Sequence, residues 1–546
     1  VNQLSSKNRV EIIGLLRTGT FDLVVIGGGI TGAGIALDAA SRGMKVALVE
    51  MRDFASGTSS KSTKLVHGGL RYLKQLEIGL VREVGRERAI VHHLAPHLVV
   101  AEKMLLPLIE GGKYGKLATS FALLVYDFLA DVEDEDKRRM LTKEETLAQE
   151  PLLREDILTG GGLYAEYRTD DARLTIEIIK TAAKHGALSL NYVRAEEFLY
   201  ENKKVVGIRC KDLPTEEVLE IRSTYVVSAA GPWVDQLRKK NNSLKGKHLF
   251  HSKGVHLVVP HERLPVHQAV YFDVPDGRMM FAIPRHRVTY LGTTDTPYEG
   301  DLNHVFGTKE DASYILDAVN NMFPKANLTL NDVESSWAGL RPLIFEEGKS
   351  AGEMSRKDEV FESDTGLISI AGGKLTGYRK MAERVVDLVC KNFYHEHKKE
   401  FPECFTDKIP LTGGPFDNEE AVLSYQKEIE KKGADFKDAN NFASYLVANY
   451  GRQTEAILAK AKSFTSDSQT ALVRAELGHC LQNELTLTPL DFFLRRSGRL
   501  YFNIGSIPPV LDTVLEGFKN YFSWEKERVQ KEKELVLKAM RAAAIQ

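Results

Sequence analysis

The clearest hydrophobic pattern in the chain runs from Asp22 to Glu50, DLVVIGGGITGAGIALDAASRGMKVALVE. A short apolar run meets three glycines. Ile30, Ala33, Leu37 and Ala40 then recur at helical spacing, and a second apolar run ends in an acid. That order predicts strand, glycine turn, helix and strand, with the apolar helix face on a sheet. Further on, a helical pattern covers about 78 to 98, and residues 100 to 155 mix helical and charged runs without a clear boundary. Strand and helix patterns alternate from Gly161 to Asp212, and TYVVSAA, ending at Ala230, is a short strand before Gly231-Pro232-Trp233. Between about 250 and 295 the pattern is antiparallel β: GVHLVVP alternates, and MMFAIP and VTYLGTT flank a turn at Arg285-His286. From Gly366 the chain returns to strand, glycine turn and helix. A charged linker covers about 396 to 415, and the remainder is almost all helix.

This order predicts an α/β Rossmann-like cofactor domain, an inserted antiparallel β-rich substrate domain and a C-terminal α-helical domain. The expected partition is 20–90, 155–245 and 335–400 for the first, 91–154 and 246–334 for the second, and 405–546 for the third.

Composition narrows the classes. The 546 residues fit two or three domains with ample cores, and the formal charge of −2 calls for no nucleic acid or strongly acidic partner. The four cysteines, Cys210, Cys390, Cys404 and Cys480, form no C-x-x-C pair, so no metal site or disulfide framework is expected and a reducing compartment fits. The opening segment carries charges inside its apolar run and lacks a cleavage site, unlike a secretory signal. FALLVYDFLADV, from Phe121, holds two aspartates and is too short to span a bilayer. A soluble or peripheral protein is expected.

The chemistry of the glycine unit is specific. Gly27, Gly29 and Gly32 give the G-x-G-x-x-G spacing: a sharp turn, close approach to a pyrophosphate, and tight packing of helix on strand. The helix aims its unsatisfied N–H groups at that pyrophosphate, and Glu50 stands where a carboxylate accepts ribose hydroxyls. Two further strands end in small residues, at Ala229-Ala230-Gly231 and Ala371-Gly372-Gly373, and ligands bind outside such strand ends. Lys374 and Thr376 follow the second of these at the start of a helix.

Taken in order, IGGGITGAGIALDAASRG, TSSKSTKLVHGGLRYL, AAGPW, SKGVHLVVP, GTTDTPYEGD, WAGLRPL and GGKLTGYRKMA resemble the FAD-dependent glycerol-3-phosphate dehydrogenases. The resemblance extends from Ile26 to Ala382 and, through the helical tail, covers nearly the whole chain. A missing transit peptide and the lack of a D-x-D-x-D-G calcium loop point to the bacterial aerobic branch over the mitochondrial one.

The resemblance implies oxidation of sn-glycerol 3-phosphate to dihydroxyacetone phosphate with FAD as cofactor. Arg71, Tyr72, Arg341 and Lys374 are then the substrate-binding candidates, since an arginine fork binds phosphate in two places and lysine adds a point charge. His256 is the candidate base, with Arg341 and Lys374 completing the catalytic set. Val255, Leu257 and Val259 share one strand face, which turns His256 to the other. A satisfied structural histidine is an open alternative for His256, and His67 is a rival that better suits support of the flavin. Thr58, Ser59 and Ser60 are expected to donate to the pyrophosphate, with Gly231, Gly372, Gly373 and Thr376 also against the cofactor.

The acceptor follows from what is absent: no insertion of the kind the family's oxidases carry interrupts the pattern before Trp337, so a membrane quinone is expected over oxygen. An oxygen-using oxidase, a related amino-acid or hydroxy-acid flavoenzyme, and an RNA-modifying flavoprotein are the alternatives. The RRSGRLYF segment, from Arg495, suits packing within the helical domain or a membrane interface. The expected location is the cytoplasm, peripheral on the inner face of the cell membrane. A homodimer is kept as an expectation that no residue pattern decides.

Overall fold

The computed structural model describes residues 4–67, 78–112, 138–345, 348 and 357–545. Arg71, Tyr72 and the FALLVYDFLADV run lie outside the described residues.

The first sheet grows from the glycine unit. Thr20–Ile26 and Val46–Val49 pair in parallel, joined by the helix Ile30–Ser41, as the apolar pattern predicts. That helix is buried over almost its whole surface, because Asp171–Lys184 and Tyr378–His397 pack against it as well as the sheet. In spatial order the strands are Asp358–Glu362, Ile368–Gly372, Val218–Ser228, Thr20–Ile26, Val46–Val49 and Leu188–Leu190. The four inner pairings are parallel, and the edge strand Asp358–Glu362 is antiparallel to its neighbour. The hairpin Val193–Glu201 and Lys204–Asp212 branches off Val218–Ser228. The strand expected to begin at Thr224 thus begins six residues earlier and carries this hairpin.

The second sheet is mostly antiparallel. Its order is Thr296–Pro297, Leu249–Pro260, Val288–Gly292, Met279–Arg285, Ala269–Asp273, Val100–Ile109, Leu158–Arg168 and Leu65–Val66. Ser335–Ile344 pairs along nearly the whole of Leu249–Pro260, and Arg139–Leu141 pairs with Leu158–Arg168. Three segments therefore depart from the expected partition. Leu65–Val66, Leu158–Arg168 and Ser335–Ile344 lie in this sheet rather than the cofactor sheet, because their ladders are made with Leu158–Arg168, Val100–Ile109 and Leu249–Pro260 respectively. Val100–Ile109 itself showed no strand pattern. Leu105 is buried on one face of the strand and Leu106 and Leu108 in another cluster, so alternation is lost, and Pro107 further hides the strand. The helix expected to reach Leu98 stops at Leu94, two residues before Pro96.

The C-terminal helices enclose a core of Leu446, Leu458, Leu477, Phe492, Phe493 and Phe518. Buried charges dock this domain on the first sheet. Arg173 and Lys180, on the helix Asp171–Lys184, both reach Glu484, and Asp53 is clasped by Arg495 and Arg496. RRSGRLYF packs partly within the helical domain, as expected, since Leu500 joins its core and Arg499 faces Glu476. It also reaches beyond that domain: Arg495 and Arg496 hold Asp53, and Tyr501 packs in a cluster with Trp337 of the second sheet. No helix among the described residues is long and apolar enough to cross a membrane.

Candidate active site

A cleft of about 260 Å³ runs along the carboxyl ends of the first sheet's strands. Gly27, Gly29, Ile30 and Thr31 form one wall, with Glu50 and the turn Ser56–Ser59 beside them. Gly27 turns at φ +116°, and a Cβ there would lie 2.4 Å from the Ala229 carbonyl oxygen. At Gly32 a Cβ would lie 1.9 Å from the Gly27 carbonyl oxygen, so only glycine lets the helix sit this close to the turn. Gly29 caps the helix without a side chain, and of the first-turn donors Ile30 N–H is met by Ser59 Oγ at 2.9 Å. Ser59 accepts in that bond and keeps its own proton to donate.

Glu50 is buried and accepts the N–H groups of Gly28 and Arg52 at 2.8 and 2.9 Å, one on each oxygen. Burial pushes its carboxyl pKa up, and those two bonds oppose the shift. Oε1 also accepts the Ser56 hydroxyl at 3.5 Å, and Oε2 retains a lone pair for a ribose hydroxyl. Across the cleft stand Gly231, Trp233, Gly372, Gly373 and Lys374. The indole N–H of Trp233 is buried with no hydrogen-bond partner among the described residues, a donor in the wall of a cleft otherwise rich in apolar surface. An uncapped helix start, a ribose-directed carboxylate and an orphaned donor fit an extended dinucleotide. Gly29→Val adds a side chain to the cleft where the Cβ itself comes no nearer than 3.1 Å to Ser59 Oγ. The variant is expected to fold and to bind its cofactor at least about tenfold more weakly, which cofactor titration of the purified protein checks.

Ser62, Pro342 and Lys374 also line the cleft, and Pro342 belongs to the strand Ser335–Ile344 of the second sheet. His256 pairs with Trp337 and Ser252 with Arg341 in the antiparallel register, so these side chains share one face. Arg341 lies flat over Gly254, whose Cβ would come within 2.5 Å of the guanidinium. Its donors meet Thr293 Oγ1 at 2.9 Å, the Thr294 carbonyl at 3.1 Å and Asp295 Oδ1 at 3.1 Å. His256 is buried on the face opposite Val255, Leu257 and Val259, as the alternation predicts. Its Nε2 meets Thr63 Oγ1 at 3.0 Å, and its Nδ1 has no hydrogen-bond partner among the described residues. Burial, with the cations of Arg341 and Lys64 adding to it, holds its pKa well below the ordinary value, so the ring is neutral.

The remaining expected residues divide. Thr58 lines the cleft, but its hydroxyl donates to the Leu340 carbonyl at 2.7 Å and ties the cofactor turn to the second sheet. Ser60 is buried and does not line the cleft. Thr376 also lies off the cleft: its Oγ1 accepts the N–H of His67 and donates to the His67 carbonyl, both at 3.1 Å, bracing the segment that leads to Arg71 and Tyr72. Several partners escaped the sequence reading. Thr63 stood in the TSSKSTKLVHGGLRYL run and Trp233 in AAGPW, but no local pattern pairs the one with His256 or sets the other's indole at the cleft. Asp295 on Arg341 lay inside the GTTDTPYEGD run, whose spacing alone gives it no role.

Residues 22–379 match the family model described as FAD dependent oxidoreductase, and residues 404–529 match the C-terminal domain of alpha-glycerophosphate oxidase. The aerobic glycerol-3-phosphate dehydrogenase of Bacillus subtilis is 49% identical, covering 100% of this chain and 99% of its own. That of Staphylococcus aureus is 46% identical over 99% and 98%. Among solved structures, the glycerol-3-phosphate dehydrogenase from Bacillus halodurans complexed with FAD superposes with a TM-score of 0.85 at 45% identity, covering 99% and 98%. L-alpha-glycerophosphate oxidase from Mycoplasma pneumoniae, at 17% identity and a TM-score of 0.57, shares the fold over 71% of this chain and 97% of its own.

Proposed function

The chain belongs to the FAD-dependent oxidoreductase family, and on that premise we propose that it oxidises sn-glycerol 3-phosphate to dihydroxyacetone phosphate. One observation carries the reading: Arg341, pinned across Gly254, and a neutral His256 share one face of the second sheet, and Pro342, next to Arg341, lines the cleft. The names of the full-length relatives agree with it.

When bound, FAD supplies the acceptor for the hydride that leaves carbon 2 of the substrate. Gly27, Gly29 and Ser59 hold the pyrophosphate end and Glu50 the ribose. Arg341, its plane set by Thr293, Thr294 and Asp295, binds the phosphate dianion, and Lys374 adds a point charge. Arg71 and Tyr72 complete the phosphate site. His256 takes the proton of the 2-hydroxyl. Burial, with the cations of Arg341 and Lys64 adding to it, keeps it unprotonated at neutral pH, and a dianion on Arg341 offsets one of those cations, raising basicity once substrate is bound. The electrons pass to a membrane quinone, reached by peripheral attachment to the inner face of the cell membrane. Relatives named as dehydrogenases support that acceptor. The oxidase named by the C-terminal family model makes oxygen the competing one.

Arg341→Ala tests the phosphate assignment. Its kcat/KM for glycerol 3-phosphate is expected to fall by about 1.5–3 kcal/mol, the scale of a hydrogen bond to a charged group. The slow reaction with glycerol, which has no phosphate, changes little. Equal losses for both substrates would remove Arg341 from phosphate recognition.

A further inference from the structure

His256 is held from behind by the C-terminal domain. The Trp337 indole stacks on its imidazole, with centroids 4.8 Å apart and planes 13° from parallel, and donates its N–H to the Ser62 carbonyl at 3.1 Å. Tyr501 and Phe502 lie 5.2 and 5.8 Å from that indole. Both belong to the short helix Arg499–Phe502, which follows RRSG in the C-terminal domain. The second sheet grips this helix: Ser335 Oγ donates to the Tyr501 carbonyl at 2.5 Å, and the Arg285 guanidinium sits 3.8 Å over the Phe502 ring.

The same aromatic group encloses Lys64. Its ammonium lies 5.4 Å from the Trp337 ring and 5.7 Å from those of Tyr501 and Phe502, and it donates to Asp171 and the Ser60 carbonyl. Lys64 follows Thr63, whose hydroxyl meets His256 Nε2. The stacked face of the base and its one hydrogen bond therefore both run back to Tyr501 and Phe502.

We infer that Tyr501 and Phe502 are positioning residues for His256, so that docking of the C-terminal domain sets the orientation of the base and keeps water from it. The inference rests on the assignment of His256 as the base. The geometry needs both rings: a stack fixes the imidazole plane only if the indole behind it is fixed, and Trp337 is backed by rings from another domain. Opening this wall hydrates a site where His256 is now 1% exposed. The charged groups facing it are Arg341 from the paired strand and Lys64 from the preceding turn, with Asp295 and Asp171 as their partners. Hydration relieves the burial that chiefly depresses the imidazole pKa and raises it towards the ordinary histidine value.

The test is rapid mixing of the FAD-loaded full-length protein with glycerol 3-phosphate from about pH 5 to 9, following loss of flavin absorbance. Phe502→Leu and Tyr501→Leu are expected to keep their FAD, to react about ten- to a hundredfold more slowly at pH 7, and to show the acid limb of the rate moved up towards about 6.5. Phe502→Tyr, which keeps the ring, is expected to restore both. Tyr501→Leu leaves the Arg285–Phe502 contact intact and decides the matter should Phe502→Leu not fold. Wild-type rates and an unmoved acid limb in the leucine variants would overturn the inference, as would a slow rate caused by KM alone. His256→Asn is run in parallel. If it keeps the wild-type rate, the assignment of the base has failed; if it loses the rate while the leucine variants do not, only the positioning role has.

Discussion

His256→Asn is expected to retain its FAD and lose about 10²- to 10⁴-fold in the rate at which glycerol 3-phosphate bleaches the flavin, the usual contribution of a positioned general base. Asparagine keeps a planar polar group against Trp337 but ends short of the Thr63 hydroxyl that meets Nε2, so the wall of the site stays in place while the contact of the far nitrogen goes. What disappears is a neutral nitrogen able to take a proton. His256 does not line the cofactor cleft, so cofactor content is the control. The folded pKa lies well below 6.5, so the unmodified protein should hold its rate as the pH falls from 8 to about 6. Protonation of the ring takes the rate down only below that window. Stopped-flow kinetics on both proteins check the pair of statements, and a loss smaller than about tenfold would return His256 to a structural role.

Asp53→Asn is expected to cost about 3–5 kcal/mol of stability, the penalty for leaving a buried charge without its partner. Asp53 is fully buried and accepts from Arg495 Nε at 2.5 Å and from two Arg496 nitrogens at 2.8 and 2.9 Å. Burial alone would raise its pKa, but the two guanidiniums outweigh burial and hold it at about 2. Its contribution is therefore complete above the unfolded carboxylate value of about 4 and is lost as the pH falls through 2. The amide neutralises the anion that the two buried cations share, leaving Arg495 only Asp491 and Arg496 only Glu484 among the carboxylates of the described residues. The residue stands three positions beyond Glu50, on a turn whose Ala55 N–H donates to the Gly28 carbonyl at 3.0 Å. Loosening of the C-terminal domain should thus appear together with weaker FAD retention. Urea unfolding at fixed FAD concentration, followed by flavin release, measures both, and an unchanged midpoint would mean that the docking does not depend on this charge.

Legibility in the sequence followed the range of the interactions. The glycine unit was readable because every requirement in it is local: the turn, the close helix and the terminal acid all fall between Ile26 and Glu50. The direction of His256 was readable from the two-residue period of one strand. Its hydrogen bond to Thr63 was not, because that contact joins residues 193 positions apart. Arg341 could be named from its run, yet Asp295, which fixes it, comes alongside only through the register of Leu249–Pro260 with its neighbours. Val100–Ile109 escaped because burial on both faces removes the alternation that marks a strand. RRSGRLYF shows the limit of composition. Arginines and aromatics suit a membrane surface or an interior equally, and Asp53, 442 residues before Arg495, decides the matter.

An anaerobic titration of the purified protein decides whether this cleft holds FAD and whether the adjoining face of the second sheet delivers electrons to it from glycerol 3-phosphate. Glycerol 3-phosphate is expected to bleach the bound flavin with one dihydroxyacetone phosphate formed per flavin, glycerol and amino acids to do so poorly, and a quinone analogue to restore the colour much faster than air. A flavin that stays oxidised with glycerol 3-phosphate, or that an amino acid bleaches instead, would contradict this reading of the site.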